Sequence, residues 1–197
     1  MAAPSIEIEL NKDRGMCPAS DNPTQDNAPI VSVVMGSDSD LPKMEGCLEA
    51  LREFGVAFEV HVISAHRTPQ IAHDFAQGAA GRGVRVIIAA AGGAAHLAGM
   101  IASLTIVPVI GVPIAASGLQ GVDALYSTVQ MPPGVPVATV GIDASRNAAI
   151  LAVQILATAD PRLRAKLEAF KARLADGVCE KSRKLREKLG PGGGGQA

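Results

Sequence analysis

Short apolar runs alternate along the chain with stretches whose apolar residues recur at helical spacing. The runs are rich in Val and Ile and end close to Gly or Ser, which is the pattern of buried β-strands flanked by turns. Five strands are predicted on this basis: Ile30–Met35, Val56–Ile63, Val84–Ala91, Ile106–Gly111 and Val135–Val140.

The intervening stretches predict helices with recognisable ends. Apolar residues repeat at helical spacing over Leu41–Leu51, and we expect Asp40 to cap the start of this helix and Gly55 to end it. Thr68, followed by a proline, predicts the N-cap of a second helix that runs to about residue 77. Another helix follows the third strand, and Ser145 is expected to cap a helix that reaches about residue 158.

This strand–helix alternation predicts a three-layer αβα domain over residues 29–160. Consecutive parallel strands need crossover connections, and helices on both faces of the sheet provide them. The fold class is therefore a doubly wound parallel sheet of about five strands. In such a sheet ligands bind beyond the carboxyl ends of the strands.

The segments outside 29–160 have a different character. Residues 1–28 are rich in Pro, Asn, Asp and Ser without sustained periodicity, so a disordered extension is predicted. Residues 190–197 form a Gly-rich end that is expected to be flexible. Residues 161–189 are charged and amphipathic, with an apolar stripe that we expect to pack on the domain or on a neighbouring subunit.

Composition narrows the function classes. The chain is 48% hydrophobic but only 3% aromatic, so its core is built from Ala, Val, Ile and Leu. The formal net charge of −1 and the scarcity of aromatic stacking residues argue against nucleic-acid binding. No apolar run has membrane-spanning length, and residues 1–27 lack the apolar core of a secretory signal. A cytoplasmic protein that binds neither membrane nor nucleic acid is expected.

The turn after the first predicted strand suits a phosphate group. Gly36 is followed by two serines, Ser37 and Ser39, at the start of a helix, where hydroxyls, backbone N–H groups and the helix dipole all favour anions. The pattern is neither a P-loop nor a dinucleotide fingerprint. Asp40 has two interpretations from the residues alone: a helix cap, or a carboxylate that holds ribose hydroxyls.

The second loop places a cation where a helix begins. Arg67 stands at a helix N-terminus, which already carries partial positive charge, and a bound anion between the two would explain it. His66 beside it can exchange protons near neutral pH. Ser64 opens this loop. A lone loop histidine is often structural, but next to Arg67 at a strand's carboxyl end a functional role is equally well supported.

The third loop, Ala91–His96, contains Gly92 and Gly93, which allow a ligand to approach the backbone closely. From the residues alone, a tight strand–helix turn with no function explains them slightly better. His96 is either a ligand contact or a helix-start histidine bonded to neighbouring backbone. No cluster has metal-ligand spacing. The residues by themselves therefore indicate an enzyme or a binding module for a small phosphorylated molecule.

Four motifs resemble the PurE family, in unbroken order over about residues 29–160. They are VMGSDSD at Val34–Asp40, SAHRTP at Ser64–Pro69, AGGAAHLAGM at Ala91–Met100 and VQMPPGVPV at Val129–Val137. The resemblance implies conversion of N5-carboxyaminoimidazole ribonucleotide to 4-carboxy-5-aminoimidazole ribonucleotide in purine biosynthesis. Within this family, an arginine at position 67 is similar to the mutase branch. The branch that carboxylates aminoimidazole ribonucleotide directly typically has Lys at that position.

The resemblance also implies roles for individual residues. It places the phosphate on Ser39, Ser64 and Arg67, and the ribose on Asp40. His66 matches the catalytic histidine, which would shuttle a proton between C4 and the departing group. Further substrate contacts are implied for Ser37, the backbone of Ala91, Gly92 and Gly93, and His96.

Reaction and assembly are implied in the same way. The carbamate would lose CO2, which the imidazole C4 would then attack, and neither metal nor cofactor would be required. The resemblance implies a flavodoxin-like fold and a homo-octamer with sites between subunits. Two alternatives remain: direct carboxylation of aminoimidazole ribonucleotide by CO2, and a non-enzymatic phosphosugar-binding module.

The chain departs from the family pattern at two places. Ala98 stands where Pro is usual, which is expected to loosen that turn slightly. The segment Gly141–Asn147 is more charged than the usual Gly- and Ala-rich sequence. Its Asp143 and Arg146 have no role that the sequence assigns.

Overall fold

The computed structural model describes residues 28–116 and 118–189, and its centre is a parallel five-stranded sheet. The strands lie in the order β2-β1-β3-β4-β5, which is the flavodoxin-like order of a doubly wound sheet. The predicted fold class is therefore confirmed. The strands are β1 Val31–Met35, β2 Phe58–Val62, β3 Val86–Gly92, β4 Val109–Ile114 and β5 Ala138–Thr139.

Helices cover both faces of the sheet. One face carries α1, α5 and the start of α6, and the other carries α2, α3 and α4. The α-helices are α1 Leu41–Phe54, α2 Pro69–Gly78, α3 His96–Leu104, α4 Val122–Val129, α5 Ser145–Ala157 and α6 Pro161–Leu189.

The alternation of side chains along the strands fills both layers of core. Val31 and Val33 of β1 pack under α1 and α5. Val34 points to the opposite face of the sheet and packs on the side of α2 and α3. Every residue of β1 and β4 is buried, as expected for strands covered on two faces. Small residues such as Ala89 and Ala98 let the helices approach closely.

The fourth and fifth strands differ from the sequence prediction. β4 starts at Val109, three residues later than expected, because Ile106 is 93% exposed and Pro108 has no N–H to donate. It continues beyond Gly111, where an added methyl would overlap Thr128. The β5 strand is only two residues long and lies at the sheet edge, where Pro136 before it offers no donor.

Asp40 occupies the N-cap position of α1, as predicted, whereas the prediction that Ser145 caps α5 is wrong. Asp40 precedes α1 but makes no side-chain capping bond, because a short 3-10 turn, Asp38–Asp40, is inserted before the helix and Ser37 caps that turn instead. Ser145 lies inside α5, and its hydroxyl donates to the Lys43 carbonyl at 2.6 Å. The end of α1 is as predicted, with Gly55 in the left-handed region at φ 67°.

Helix α4 was not predicted from the sequence. Its buried residues are Ala124 and Thr128, which are too small and too polar to mark a helical stripe. Gly121 precedes it at φ 86°.

The charged segment forms α6. Leu163 and Phe170 are buried in the domain, whereas Leu174 and the apolar residues after it are exposed. None of the helices in residues 28–116 and 118–189 combines the length and apolarity that a membrane-spanning segment needs. Of the predicted extension only Ala28 is described, and the Gly-rich end, 190–197, lies outside the described residues.

Candidate functional site

The carboxyl ends of the parallel strands meet at one edge of the sheet, and a cavity of about 390 Å³ opens there. Loops that follow β1, β2, β3 and β4 all contribute to its wall. Nine of the ten residues selected from the sequence line it, and Gly93 does not. The lining consists of Gly36, Ser37, Ser39, Asp40, Ser64, Ala65, His66, Arg67, Ala91, Gly92, Ala95, His96, Leu97 and Ala116.

The turn after β1 is a closed network of short side chains. Ser37 Oγ accepts from the Ser39 N–H at 3.3 Å, and the Ser37 N–H donates back to Asp40 Oδ2 at 3.2 Å. The Ser39 hydroxyl reaches Ser37 Oγ at 2.9 Å. This capping box fixes both hydroxyls and the Asp40 carboxylate at the cavity wall.

Asp40 is the buried acid of the site, with 6% of its surface exposed. Burial raises its pKa above the ordinary value and the neighbouring Asp38 raises it further, while the hydrogen bond from the Ser37 N–H opposes the rise. A buried carboxylate is stabilised by hydrogen-bond donors that replace the water it has lost. The vicinal hydroxyls of a sugar supply such donors.

The turn after β2 holds Arg67 against the first loop. Ser64 Oγ accepts from both the backbone N–H and the Nε of Arg67, each at 3.2 Å. The guanidinium Nη2 donates to the Gly36 carbonyl at 3.2 Å. Arg67 is exposed and retains further N–H donors, so the guanidinium can bind an anion at the junction of the two loops.

Thr68 occupies the N-cap position of α2, as predicted, but its side chain does not cap the helix. Its hydroxyl donates to the Ser64 carbonyl at 2.9 Å and accepts from the Ser64 N–H at 3.1 Å. The threonine therefore closes the loop on itself and fixes the serine that positions Arg67.

His66 and His96 form a direct pair at the cavity wall. His66 Nε2 lies 2.7 Å from His96 Nδ1, and the rings meet edge to face with centroids 4.9 Å apart. Two ring nitrogens at this distance share one proton between them. His96 therefore bonds to His66 and not to the neighbouring backbone, which was the other possibility considered from the sequence. The pair joins the β2 and β3 loops and can give or take a proton.

The loop after β3 brings backbone close to the cavity. An added Cβ at Gly92 would lie 2.6 Å from Ala116 Cβ and 3.0 Å from the Ile114 carbonyl oxygen, so only glycine fits between β3 and the β4 loop. Gly93 has φ 61° and open space around it, so its role is to turn the backbone. Ala95, at φ 43°, is held in the same left-handed region.

Sequence reasoning missed the residues that line the cavity without functional side chains. Gly36, Ala65 and Leu97 lie within the motifs quoted from the sequence. Their position beside the selected residues was the signal that could have identified them. Ala116 lies in the loop after β4, and no chemical feature of the sequence points to it. Within the described part of the chain, His, Cys, Asp and Glu side chains nowhere gather in groups of three or more that could hold a metal ion.

Comparisons with known proteins identify relatives that match most of this chain. The N5-carboxyaminoimidazole ribonucleotide mutase of Pyrococcus horikoshii is 54% identical over 159 residues, which cover 81% of this chain and 90% of that protein. The mutase of Mycobacterium tuberculosis is 55% identical over 162 residues, covering 82% and 93%. The phosphoribosylaminoimidazole carboxylase of Schizosaccharomyces pombe is 56% identical over 163 residues, covering 83% of this chain but 29% of that one.

Solved structures and a family model point the same way. The crystal structure of Treponema denticola PurE superposes with a TM-score of 0.74 at 26% sequence identity, covering 80% of this chain and 99% of that one. The family model described as AIR carboxylase matches residues 30–177. With most of the chain matched by the family model and more than half of the aligned residues identical in these curated relatives, the chain belongs to the AIR carboxylase family.

Proposed function

We propose that the chain is an N5-carboxyaminoimidazole ribonucleotide mutase of purine biosynthesis. The observation that carries this proposal is the convergence of an anion-binding cluster, a buried carboxylate and a histidine pair on one cavity of about 390 Å³. The relatives from Pyrococcus horikoshii and Mycobacterium tuberculosis, which match nearly end to end, bear the mutase name.

The ribonucleotide binds across the first two loops. Ser39, Ser64 and Arg67 hold the phosphate, since all three line the cavity and the guanidinium, bonded to Ser64 Oγ, reaches the Gly36 carbonyl of the loop that carries Ser39. Asp40 accepts from the ribose hydroxyls, which compensate the buried carboxylate for lost hydration. This arrangement places the imidazole toward the β3 loop and the histidine pair.

The reaction is an internal transfer of a carboxyl group with one proton returned. The carbamate C–N bond breaks, CO2 leaves, and the exocyclic nitrogen takes a proton from His66. C4 then attacks CO2 to form the new C–C bond, and His66 recovers a proton from C4. His96 orients the His66 ring through the 2.7 Å contact. The proton balance is zero, so a histidine suffices as the acid and base.

The transfer succeeds only if CO2 stays beside C4. The walls near the β3 loop are small and apolar, formed by Ala91, Gly92, Ala95 and Ala116. A close-fitting apolar pocket keeps CO2 at high local concentration and excludes water. The Ser37 hydroxyl and the backbone of Ala91 and Gly92 face the carboxylate before and after its migration.

The competing activity is direct carboxylation of aminoimidazole ribonucleotide. The Schizosaccharomyces pombe relative bears the carboxylase name, but this chain matches only 29% of that protein, so its name describes a much longer chain. Arg67 favours the mutase, on the branch pattern that the sequence resemblance implies. A phosphosugar-binding module without catalysis would use the same anion cluster but has no need of the histidine pair.

A homo-octamer with shared sites is part of the proposal, and so is a cytoplasmic location. Large apolar side chains are exposed on several elements, including Ile106 at 93% and Tyr126 at 60%. The second half of α6 exposes Leu174, Val178 and Leu185, which residues 28–116 and 118–189 leave uncovered. Exposed large apolar side chains on several elements support a subunit interface.

The test is turnover by the purified full-length protein. One reaction contains N5-carboxyaminoimidazole ribonucleotide, and the other contains aminoimidazole ribonucleotide with low bicarbonate. Reactions without protein measure the spontaneous loss of the unstable carbamate. Fast conversion of the first substrate alone supports the mutase. Efficient use of the second would establish the carboxylase, and binding without turnover of either would leave the binding module.

A further inference from the structure

The charged segment Gly141–Asn147, which the sequence left without a role, lies at the same edge of the sheet as the cavity. It follows β5 and contains Asp143 in the left-handed region, with φ 53°. The Asp143 backbone N–H donates to the Pro113 carbonyl of β4 at 2.9 Å. Nearby, Ile142 packs so closely that a Cβ on Gly121 would lie 2.6 Å from its Cγ2. The segment is therefore fastened to β4 and to the loop after it.

The Asp143 carboxylate bridges two elements that flank the cavity. Oδ1 accepts from the Ala115 N–H at 3.0 Å, and Oδ2 accepts from Lys43 Nζ at 2.6 Å. Lys43 lies in the first turn of α1, directly after the turn that carries Asp40. Ala115 directly precedes Ala116, which lines the cavity. One side chain thus connects the two walls.

The Ala115 hydrogen bond matters because of what the next residue does. The Ala116 N–H donates to the Ile114 carbonyl at 2.9 Å, which turns its methyl over Gly92. The contact is so close that glycine alone fits at position 92. Releasing Ala115 would free the wall that Ala116 forms beside Gly92.

Asp143 is more than a surface ion pair. Lys43 is 48% exposed, and an ion pair with such a partner contributes little by itself. Burial raises the pKa of Asp143, but the bonds from Lys43 and from the Ala115 N–H outweigh burial and lower it below its ordinary value. The ionised carboxylate accepts from Ala115 with the greater strength of a charge-assisted hydrogen bond.

We propose that Asp143 is a positioning residue that holds the Ala115–Ala116 wall against Gly92 and so keeps CO2 in the site during the transfer. The proposal rests on the mutase function. When CO2 is captured, the carbamate C–N bond breaks, the C4–C bond forms, and the proton moves from C4 to nitrogen. When CO2 escapes, the products are aminoimidazole ribonucleotide and CO2; the nitrogen has taken its proton from His66, and His66 recovers one from solvent.

The experiment measures this partition. Substrate labelled with 13C in the carbamate is converted by the full-length protein in unlabelled bicarbonate buffer. Mass spectrometry gives the 13C content of the carboxylated product and the amount of aminoimidazole ribonucleotide released, corrected for spontaneous decay. Hydrogen exchange, compared between peptides with a common start that end at Ile114 and at Ala115, reports separately on the Ala115 amide.

Three variants separate the possible causes. Asp143→Gly removes the carboxylate but accommodates φ 53°, so it avoids the backbone strain of an alanine. Asp143→Asn keeps an acceptor for Ala115 and tolerates the left-handed region, but it loses the charge. Arg146→Gln is the matched control, because it removes a charge of the same segment whose ion pair, among residues 28–116 and 118–189, is with Glu53, at 2.6 Å.

Asp143→Gly should release about ten times more aminoimidazole ribonucleotide per product formed, which corresponds to losing one hydrogen bond to a charged group. Its Ala115 amide should exchange faster by a similar factor. In Asp143→Asn, both the release of aminoimidazole ribonucleotide and the exchange of the Ala115 amide should return most of the way to the wild-type values. Arg146→Gln should behave as the wild type.

Undiminished retention of 13C in Asp143→Gly, or an unchanged Ala115 amide, would overturn the positioning role. So would an equal leak in Arg146→Gln, which would indicate a general loosening of the segment. If the wild type makes no carboxylated product at all, the mutase function fails. Amide exchange then decides by itself whether Asp143 holds the wall.

Discussion

Replacing Gly92 by alanine tests whether the small wall of the cavity matters for catalysis. The new methyl carbon would stand 2.6 Å from Ala116 Cβ, whereas non-bonded carbons sit about 3.5–4.0 Å apart. It would also lie 3.0 Å from the carbonyl oxygen of Ile114, its register partner on β4. The Ile114 carbonyl is held in place by the sheet. The Ala116 methyl must therefore move, by about 1 Å.

Two magnitudes follow from that displacement. Overpacking of this kind destabilises a protein by about 1–3 kcal/mol, and each kcal/mol lowers Tm by roughly 2–4 °C in a domain of this size. A shift of about 1 Å in a group that positions the reacting atoms lowers turnover by up to about a hundredfold. We therefore expect a modest loss of stability and a large loss of kcat.

Gly93→Ala is the matched control beside it. Its backbone has φ 61°, so alanine there costs about 1–2 kcal/mol in strain. An added Cβ at 93 would meet nothing within 4 Å, so no wall moves. Thermal unfolding should show similar losses for the two variants, and kcat with N5-carboxyaminoimidazole ribonucleotide should fall strongly only in Gly92→Ala.

Equal kcat values for the two variants, at comparable Tm, would refute the reasoning. Such a result would mean that the site tolerates a displaced Ala116, and that CO2 retention depends on other walls. A crystal structure of Gly92→Ala with Ala116 unmoved would refute the geometric step by itself.

Further predictions concern the other parts of the site and the fold. His66→Asn should fold and bind the ribonucleotide but lose about 10²–10⁴-fold in kcat, as the loss of one acid–base group predicts. Near-normal turnover would remove this histidine from the mechanism. Arg67→Ala should raise KM by about ten- to a hundredfold, while affinity for the dephosphorylated nucleoside should stay unchanged in calorimetry. Equal losses for both ligands would contradict the phosphate assignment. Burial raises the pKa of Glu59, but hydrogen bonds from His61 and Ser32 lower it overall, so its contribution to stability is present at neutral pH and lost as pH falls through the folded pKa. Glu59→Gln should therefore lower Tm at pH 7, and the difference from wild type should shrink below about pH 4.

The fold class followed from the sequence because its signals are local and repeated. The apolar runs of β1 and β4 are buried on both faces of the sheet, so their residues must be apolar without alternation. The ends of the elements were less well determined. The shift of β4 depends on proline positions and on which residues find a partner strand, and neither is visible in hydropathy alone.

Most residues of the site could also be predicted from the sequence. Ser37, Asp40, Arg67 and His66 stand where parallel strands end, and the topology of such a sheet brings those ends together. Their individual roles in the local structure were not determined. Asp40 holds the expected N-cap position of α1, but its carboxylate accepts from the Ser37 N–H of the 3-10 turn and lines the cavity instead of capping the helix.

Contacts between residues distant in the chain could be decided only by the tertiary structure. The His66–His96 pair spans 30 residues and the Asp143–Lys43 pair spans 100, and no periodicity encodes either. Ala116 became a wall residue because β4 brings it over Gly92. Local propensity and burial act on each residue separately, so they can be predicted from the residue types and their spacing in the sequence. The partner that a side chain meets depends on how the whole sheet is assembled, and that is decided only when the strands pair.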